Sequence, residues 1–343
     1  MKTGKAKKLG VLAAIVILIT VVSTVVTKAI HFSEDTSEEQ LTIVTSFYPI
    51  YIATLNVTKD MENVKVVNLM EQQSGCLHDY QLTTSDMKKF ETADVFIMNG
   101  AGMEGYIEKV IASYPDLTII DTSEGIDLLT TNGEVHSHEE DEADHDHDHE
   151  DEADHDHDHE DDAVTEDDHD HNHGDYNAHI WMSPANYIQQ IKNIATGLEK
   201  ADGEHAQIYA DNAKTYEEKV STVWNEYKAL PAFDYDEVVI FHDSVAYLAK
   251  ELGIEVAYSV AIDGETSLSA GDIATVIDEV KEHEIKVLFS EVQFEDTIAN
   301  RISEETGAKV YIIDSMVTGE VSLDAYIDGL QKNLEVLRNA LYK

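Results

Sequence analysis

Apolar positions along this chain recur in two alternating periods. Short runs rich in Val, Ile, Leu and Phe at Leu41–Phe47, Asn63–Met70, Asp94–Asn99 and Leu117–Asp121 have the composition and length of strands. Between them, apolar residues at helical spacing follow Pro49, run to Phe90 from a cap at Thr84 or Ser85, and occupy Met103–Ser113. The alternation resumes later. Strands are expected at Glu237–Phe241, Glu255–Val260, Lys286–Phe289 and Lys309–Ile313. Helices are expected at Ser244–Leu252, Ser269–Glu284, Asp296–Thr306 and Leu323–Leu341. Strands that alternate with helices predict parallel sheets covered on both faces, hence an α/β fold.

Two helical patterns separate the halves. Ser183–Pro184 is a helix start, with Ser as cap and Pro in the first turn, and the pattern runs to about Lys200. Ala201–Asp202–Gly203 breaks it, and a second stretch continues from Glu204 to Leu230. Its 27 residues would span roughly 40 Å, which suits a strut between lobes better than a core element. The architecture expected is two parallel-sheet lobes joined by a long rigid helix, with a site between the lobes beyond the carboxyl ends of the strands. The divisions follow: an N-terminal segment and spacer over 1–40, a first lobe over 41–202, a linking helix over 203–230 and a second lobe over 231–343.

Periodicity fails between residues 134 and 175. This stretch holds 11 of the 17 histidines and 22 acidic residues, with no Lys or Arg, and repeats EADHDHDHED in tandem from Glu142 and Glu152. It has too little apolar surface to offset the entropy of ordering, so a disordered loop is expected. Imidazoles and carboxylates are donors for zinc, nickel, cobalt and copper. Alternate residues of an extended chain face one way, so His145, His147 and His149 can converge on one ion. His155, His157 and His159 repeat that spacing, and so do His169, His171 and His173. Acidity alone would suit a solvated linker but does not explain the histidines.

The formal charge is −46, and the chain without that stretch still carries 47 acidic residues against 23 basic ones. Such a balance disfavours nucleic acid and attracts cations. Lys2, Lys5, Lys7 and Lys8 precede an apolar run from Leu9 to Val26, the form of an export signal and, at 18 residues, just long enough for a membrane anchor. Either role places the lobes outside the cytoplasmic membrane, and an uncleaved anchor is the reading preferred. Cys76 is the single cysteine, so no intramolecular disulfide exists. A buried thiol, a redox-sensitive residue and an auxiliary soft ligand all suit it.

Six histidines lie elsewhere. His31, His205 and His283 sit among polar neighbours and read as surface residues. His78 in GCLHDY, His179 in NAHIWMSP and His242 in VVIFHDS fall at strand ends or in connections, and Asp314 follows the last strand. Each alone would pass as a hydrogen-bonded polar residue at a lobe edge. Together they offer three imidazoles and a carboxylate, two from each lobe, a closed tetrahedral set suited to zinc.

The motifs HDYQLTTSDMKKFETADVFIMNGAGME from His78, HIWMSP from His179, FHDSVAYLAKELG from Phe241 and EVQF around Glu291 resemble the substrate-binding proteins of zinc and manganese ABC importers, the ZnuA-like and TroA-like group. The resemblance covers nearly all of 41–343. It implies the ligands His78, His179, His242 and Asp314, zinc as transported cargo rather than cofactor, and a permease with its ATPase as partners. A histidine at the third position and a histidine-rich insertion resemble zinc-type members. Leu77 stands where relatives often have Pro, and AIDGETSLSAGD from Ala261 also lacks a Pro. Glu291 suits an outer position, accepting an imidazole N–H to orient a ligand. A monomer is expected. Nickel and cobalt fit the same donors, manganese less well. An adhesin or a metal buffer would use the same site. A zinc hydrolase needs an open position and a general base, and no HExxH pair is present.

Overall fold

The computed structural model describes residues 40–70, 80–130, 135–136, 176–260, 269–292 and 297–343. His78, Cys76, the nine histidines from His145 to His173, the N-terminal segment and residues 261–268 lie outside the described residues. Two four-stranded parallel sheets organise the rest. The first has the order β2-β1-β3-β4, from Leu41–Thr45 (β1), Val64–Asn68 (β2), Val95–Met98 (β3) and Thr118–Asp121 (β4). The second has the order β10-β9-β7-β8, from Glu237–Ile240 (β7), Glu255–Ser259 (β8), Val287–Glu291 (β9) and Lys309–Ile313 (β10). Between them Leu128–Leu129 (β5) pairs antiparallel with Val135–His136 (β6). Val135 and His136, inside the stretch expected to be irregular, thus pair as a strand.

The helices of the first lobe are Tyr48–Val57 (α1), Thr84–Phe90 (α2), Ile107–Ser113 (α3) and Pro184–Ala201 (α4). Thr83, rather than Thr84 or Ser85, caps α2. Its hydroxyl receives the Asp86 N–H while the Asp86 carboxylate receives the Thr83 N–H, a reciprocal pair that needs an acid three residues after the cap. The helix expected from Met103 begins a turn later, at Ile107. Glu104 accepts N–H groups of the preceding loop instead of opening the helix. That loop turns through Gly100, whose φ of +80° and contact with Asp121 leave no room for a side chain: a Cβ there would lie 1.9 Å from Asp121 Oδ1.

The long helix is Ala206–Lys228 (α5), and it is not a bare strut. Tyr209, Ala213, Tyr216, Val220, Val223 and Tyr227 are buried in it at alternating spacings of four and three. That spacing makes a continuous apolar stripe. The stripe packs along α4 and α1 and onto the last helix, Ala325–Ala340 (α9). The remaining helices are Ala246–Leu252 (α6), Ala270–Glu282 (α7) and Thr297–Thr306 (α8). One core runs through both lobes, from Ile43 and Ile191 through Tyr216 to Val238 and Leu330. Tyr187 of α4 stacks on Tyr326 of α9 with ring centroids 3.6 Å apart, and the Tyr326 hydroxyl donates to the Trp181 carbonyl at 2.6 Å. The lobes therefore meet through packed aromatics around α5. Among the described residues no helix is long and apolar enough to cross a membrane.

Candidate metal site

Strand β7 delivers His242 directly: the chain leaves Ile240, passes buried Phe241, and turns at His242 into a short 3-10 turn, Asp243–Val245. The imidazole is 6 % exposed, and its Nδ1 lies 2.9 Å from Glu291 Oε1. Strand β9 runs two residues beyond the expected Phe289, so buried Ser290 and Glu291 are its last members. The extension brings Glu291 beside the ring. The Ser244 hydroxyl donates to the same carboxylate oxygen. Ser244 N–H also approaches Nδ1, at 3.4 Å. That is too long to displace the bond to the carboxylate, so Nδ1 carries the proton and donates to Glu291. This is the outer-partner geometry that orients a metal-binding imidazole and strengthens its donation through the other nitrogen.

His179 arrives differently, in the connection that ends at the 3-10 turn Ile180–Met182 and the Ser183 cap of α4. Ser183 Oγ accepts from Asn186 N–H at 3.0 Å and donates to Glu251 across the lobes at 2.6 Å. The connection is fixed to the first sheet by Asn99, whose Nδ2 donates to the Ala178 carbonyl at 2.9 Å. Gln190 of α4 in turn donates to Asn99 Oδ1 at 3.0 Å. Glu104 receives the N–H groups of Asn99 and Gly100 at 2.8 and 3.0 Å. Burial pushes its carboxyl up to about 7, against the lowering effect of those hydrogen bonds.

The two imidazoles meet. Their ring centroids are 4.5 Å apart at an interplanar angle of 79°, with Trp181 5.2 Å from His179. Two nitrogens at zinc bonding distance on one tetrahedral ion are roughly 3.3 Å apart, which rings this close can supply. Asp314 follows β10. Asn333 of α9 brackets its backbone, accepting its N–H at 2.9 Å and donating to its carbonyl at 2.8 Å. Its Oδ1 accepts the Met316 N–H at 2.8 Å. It lines a cleft of about 260 Å³ with Tyr48, Glu320 and Lys332. Burial, then the charges of Asp314 and Glu320, raise the Tyr48 hydroxyl pKa. The next residue, Ser315, accepts Trp181 Nε1–H at 2.9 Å, which links this corner to the His179 segment.

Of the four residues expected to coordinate, the structure brings His179 and His242 together, holds Asp314 by its backbone at the end of β10, and leaves His78 outside the described residues. Among the described residues no three His, Cys, Asp or Glu side chains form a metal-sized group. His283 is exposed, with Nδ1 2.7 Å from Glu237. His205 is half-buried, not a free surface residue, with Nδ1 2.9 Å from Asp202. Asn99, Glu104 and Asn177 belong to no motif in the sequence that marks them as functional. Only Asn177 left a signal, as an amide two residues before a histidine.

Known proteins are similar to this chain over most of its length. The chain is 27% identical over 316 residues to the high-affinity zinc uptake system protein ZnuA of Bacillus subtilis, covering 90% of each. It is 27% identical over 310 residues to the zinc-binding protein AdcA of Streptococcus pyogenes, covering 88% of this chain but spanning only 56% of that relative's length. The structure of FpvC from Pseudomonas aeruginosa in complex with Ni2+ superposes with a TM-score of 0.69 at 25% identity, covering 88% of this chain and 97% of that one. A family model described as "Zinc-uptake complex component A periplasmic" matches residues 43–340. The chain, with two parallel-sheet lobes and one buried histidine from each at their junction, belongs to this ZnuA family.

Proposed function

We propose that the protein is an extracytoplasmic zinc-binding component that captures the ion between its lobes and delivers it to an ABC-type permease and its ATPase. One observation carries the reading: two buried imidazoles from separate lobes lie 4.5 Å apart, centroid to centroid. Burying two such rings edge to face serves a cation that both can bind. The family match supports zinc as the cargo and transport, not catalysis, as the role. His78 and Asp314 complete the tetrahedral set in this reading. The N-terminal segment tethers a monomer to the membrane, and the acidic histidine-rich stretch gathers zinc weakly for the tighter site. An unordered chelator loses binding energy to its own ordering, whereas a cleft fixed by α4, α5 and α9 does not. Docking on the permease would part the lobes and separate the imidazoles.

Calorimetric zinc titration of the intact protein and of a variant lacking 134–175 tests both parts. The expected result is one tight site in both proteins, and several weak sites in the intact protein only. Weak sites that persist in the deletion variant exclude the acquisition role, and loss of the tight site moves the cargo site into the acidic stretch. Imidazole donors also accept nickel, which the FpvC relative holds. Competition between zinc, nickel, cobalt and manganese on the deletion variant ranks them, with zinc expected to displace manganese.

A further inference from the structure

Asn177 is 5 % exposed, and each of its polar groups is engaged. Its Oδ1 accepts the His179 backbone N–H at 2.9 Å and lies 2.9 Å from His179 Nδ1. Its Nδ2 donates to the Asp243 carbonyl at 2.8 Å, one residue past His242 on the other lobe. The main-chain N–H donates to Leu129 O at 2.7 Å. The main-chain carbonyl accepts the Tyr247 hydroxyl of α6 at 2.6 Å. That hydroxyl also accepts Leu129 N–H at 3.0 Å.

These partners decide the amide's orientation. A backbone N–H only donates and a backbone carbonyl only accepts, so the oxygen must face His179 and the nitrogen Asp243. A ring nitrogen facing that oxygen at hydrogen-bond distance must carry the proton. We infer that Asn177 is a positioning residue for zinc capture: it fixes His179 as the Nδ1–H tautomer, so that Nε2 carries the lone pair a metal takes. The role matches that of Glu291 at His242, but with a neutral amide braced by the opposite lobe. The bond to Asp243 turns the amide plane toward the ring, so docking of the second lobe also sets the first lobe's ligand. The inference rests on the zinc-binding reading for its purpose, though not for its geometry.

The test is the tautomer itself, read by long-range proton–nitrogen correlation of the His179 ring in metal-free protein at pH 8, together with zinc affinity by chelator competition. Wild type should show Nδ1–H at His179. Asn177→Ala should shift the ring toward Nε2–H and weaken zinc roughly 10–100-fold, the usual effect of losing an outer partner. Asn177→Asp keeps an acceptor facing the ring but loses the bond to the Asp243 carbonyl, so it should restore the Nδ1–H tautomer and only part of the affinity. An Nε2–H ring in wild type overturns the inference without recourse to any variant. So does an alanine variant that loses affinity with the tautomer unchanged, or an aspartate variant whose His179 ring stays Nε2–H. Wild-type protein that shows the expected tautomer but binds no zinc sinks the proposed function and leaves the positioning role standing.

Discussion

A buried carboxylate stands beside the His179 segment in one lobe and beside His242 in the other, and the two are used in different ways. Glu104 and Glu291 are each 3 % exposed. Glu291 meets side chains: the His242 ring and the Ser244 hydroxyl. Glu104 meets the main-chain N–H groups of Asn99 and Gly100. The difference follows from how each histidine is delivered. His242 leaves a paired strand, so its backbone is already placed and the charge can act on the ring. His179 comes from a connection with no ladder of its own, so the first lobe uses its buried carboxyl to set the loop that holds that connection. A neutral amide is left to face the ring. One sheet plan thus supplies two imidazoles with unlike supports, ring charge on one side and backbone order on the other.

Deleting the ligands gives the largest expected effect. His242→Ala and His179→Ala should each weaken zinc by at least about a thousandfold, beyond the roughly 10–100-fold carried by outer partners. Chelator competition reads both. The comparison predicts an inequality between them. His242→Ala leaves the buried Glu291 carboxylate without its imidazole donor and should lower thermal stability in metal-free protein. His179→Ala strands only an amide oxygen that still holds a backbone N–H, and should cost less. Equal losses of stability would mean that the two supports are equivalent.

The second lobe's side of this contrast was more legible in sequence than the first's. Alternating apolar runs revealed both sheets to within two residues, because buried parallel strands are continuous apolar segments. His242 stood out as a histidine directly after such a run, and Glu291 as an acid after another. Yet the apolar run stops two residues short of the end of β9 because Ser290 and Glu291 are polar, and only pairing with β10 carries the strand that far. The stripe of α5 is present in the spacing of its tyrosines and valines, and the helix both joins the lobes, as its length implies, and packs into the core. Asn99 and Glu104 could not be found from the sequence. Their partners are backbone groups brought close by the turn at Gly100, and from Asn99 to Ala178 the contact spans 79 residues. No local pattern encodes a contact that long.

Glu104 gives the next largest effect, on stability and its dependence on pH. Its carboxyl titrates near 4.5 when exposed and is pushed up to about 7 when buried. Between those values the folded protein keeps a proton that the unfolded chain has lost. This contribution is therefore fully present below 4.5 and disappears as pH rises through about 7. The slope is about 1.4 kcal/mol per pH unit, on the order of 3 kcal/mol across the window. In Glu104→Gln the group no longer titrates. Denaturant unfolding at pH 5 and pH 8 should show wild type losing more stability than the variant over that interval. Parallel pH dependence would mean that the carboxyl is not the buried acid described, and the first lobe's half of the contrast would fall. Zinc affinity should change little so long as the loop keeps its shape.

The smallest effect discriminates best, because it concerns charge at nearly constant shape. Glu291→Gln keeps an oxygen that can accept from His242 Nδ1–H and removes the negative charge. If the carboxylate matters by strengthening imidazole donation, zinc should weaken roughly 10–100-fold although the ring stays in place. The ion would be lost mainly through faster dissociation, since the approach through the acidic surface is unchanged. The His242 tautomer in metal-free protein should remain Nδ1–H, as the amide oxygen still accepts. At His179 the partner is already an amide, so the substitution makes the two supports alike and the difference in zinc release measures what the charge contributed. Unchanged release in Glu291→Gln would mean that orientation alone matters at both histidines, and that the carboxylate in the second lobe and the amide in the first do the same physical job.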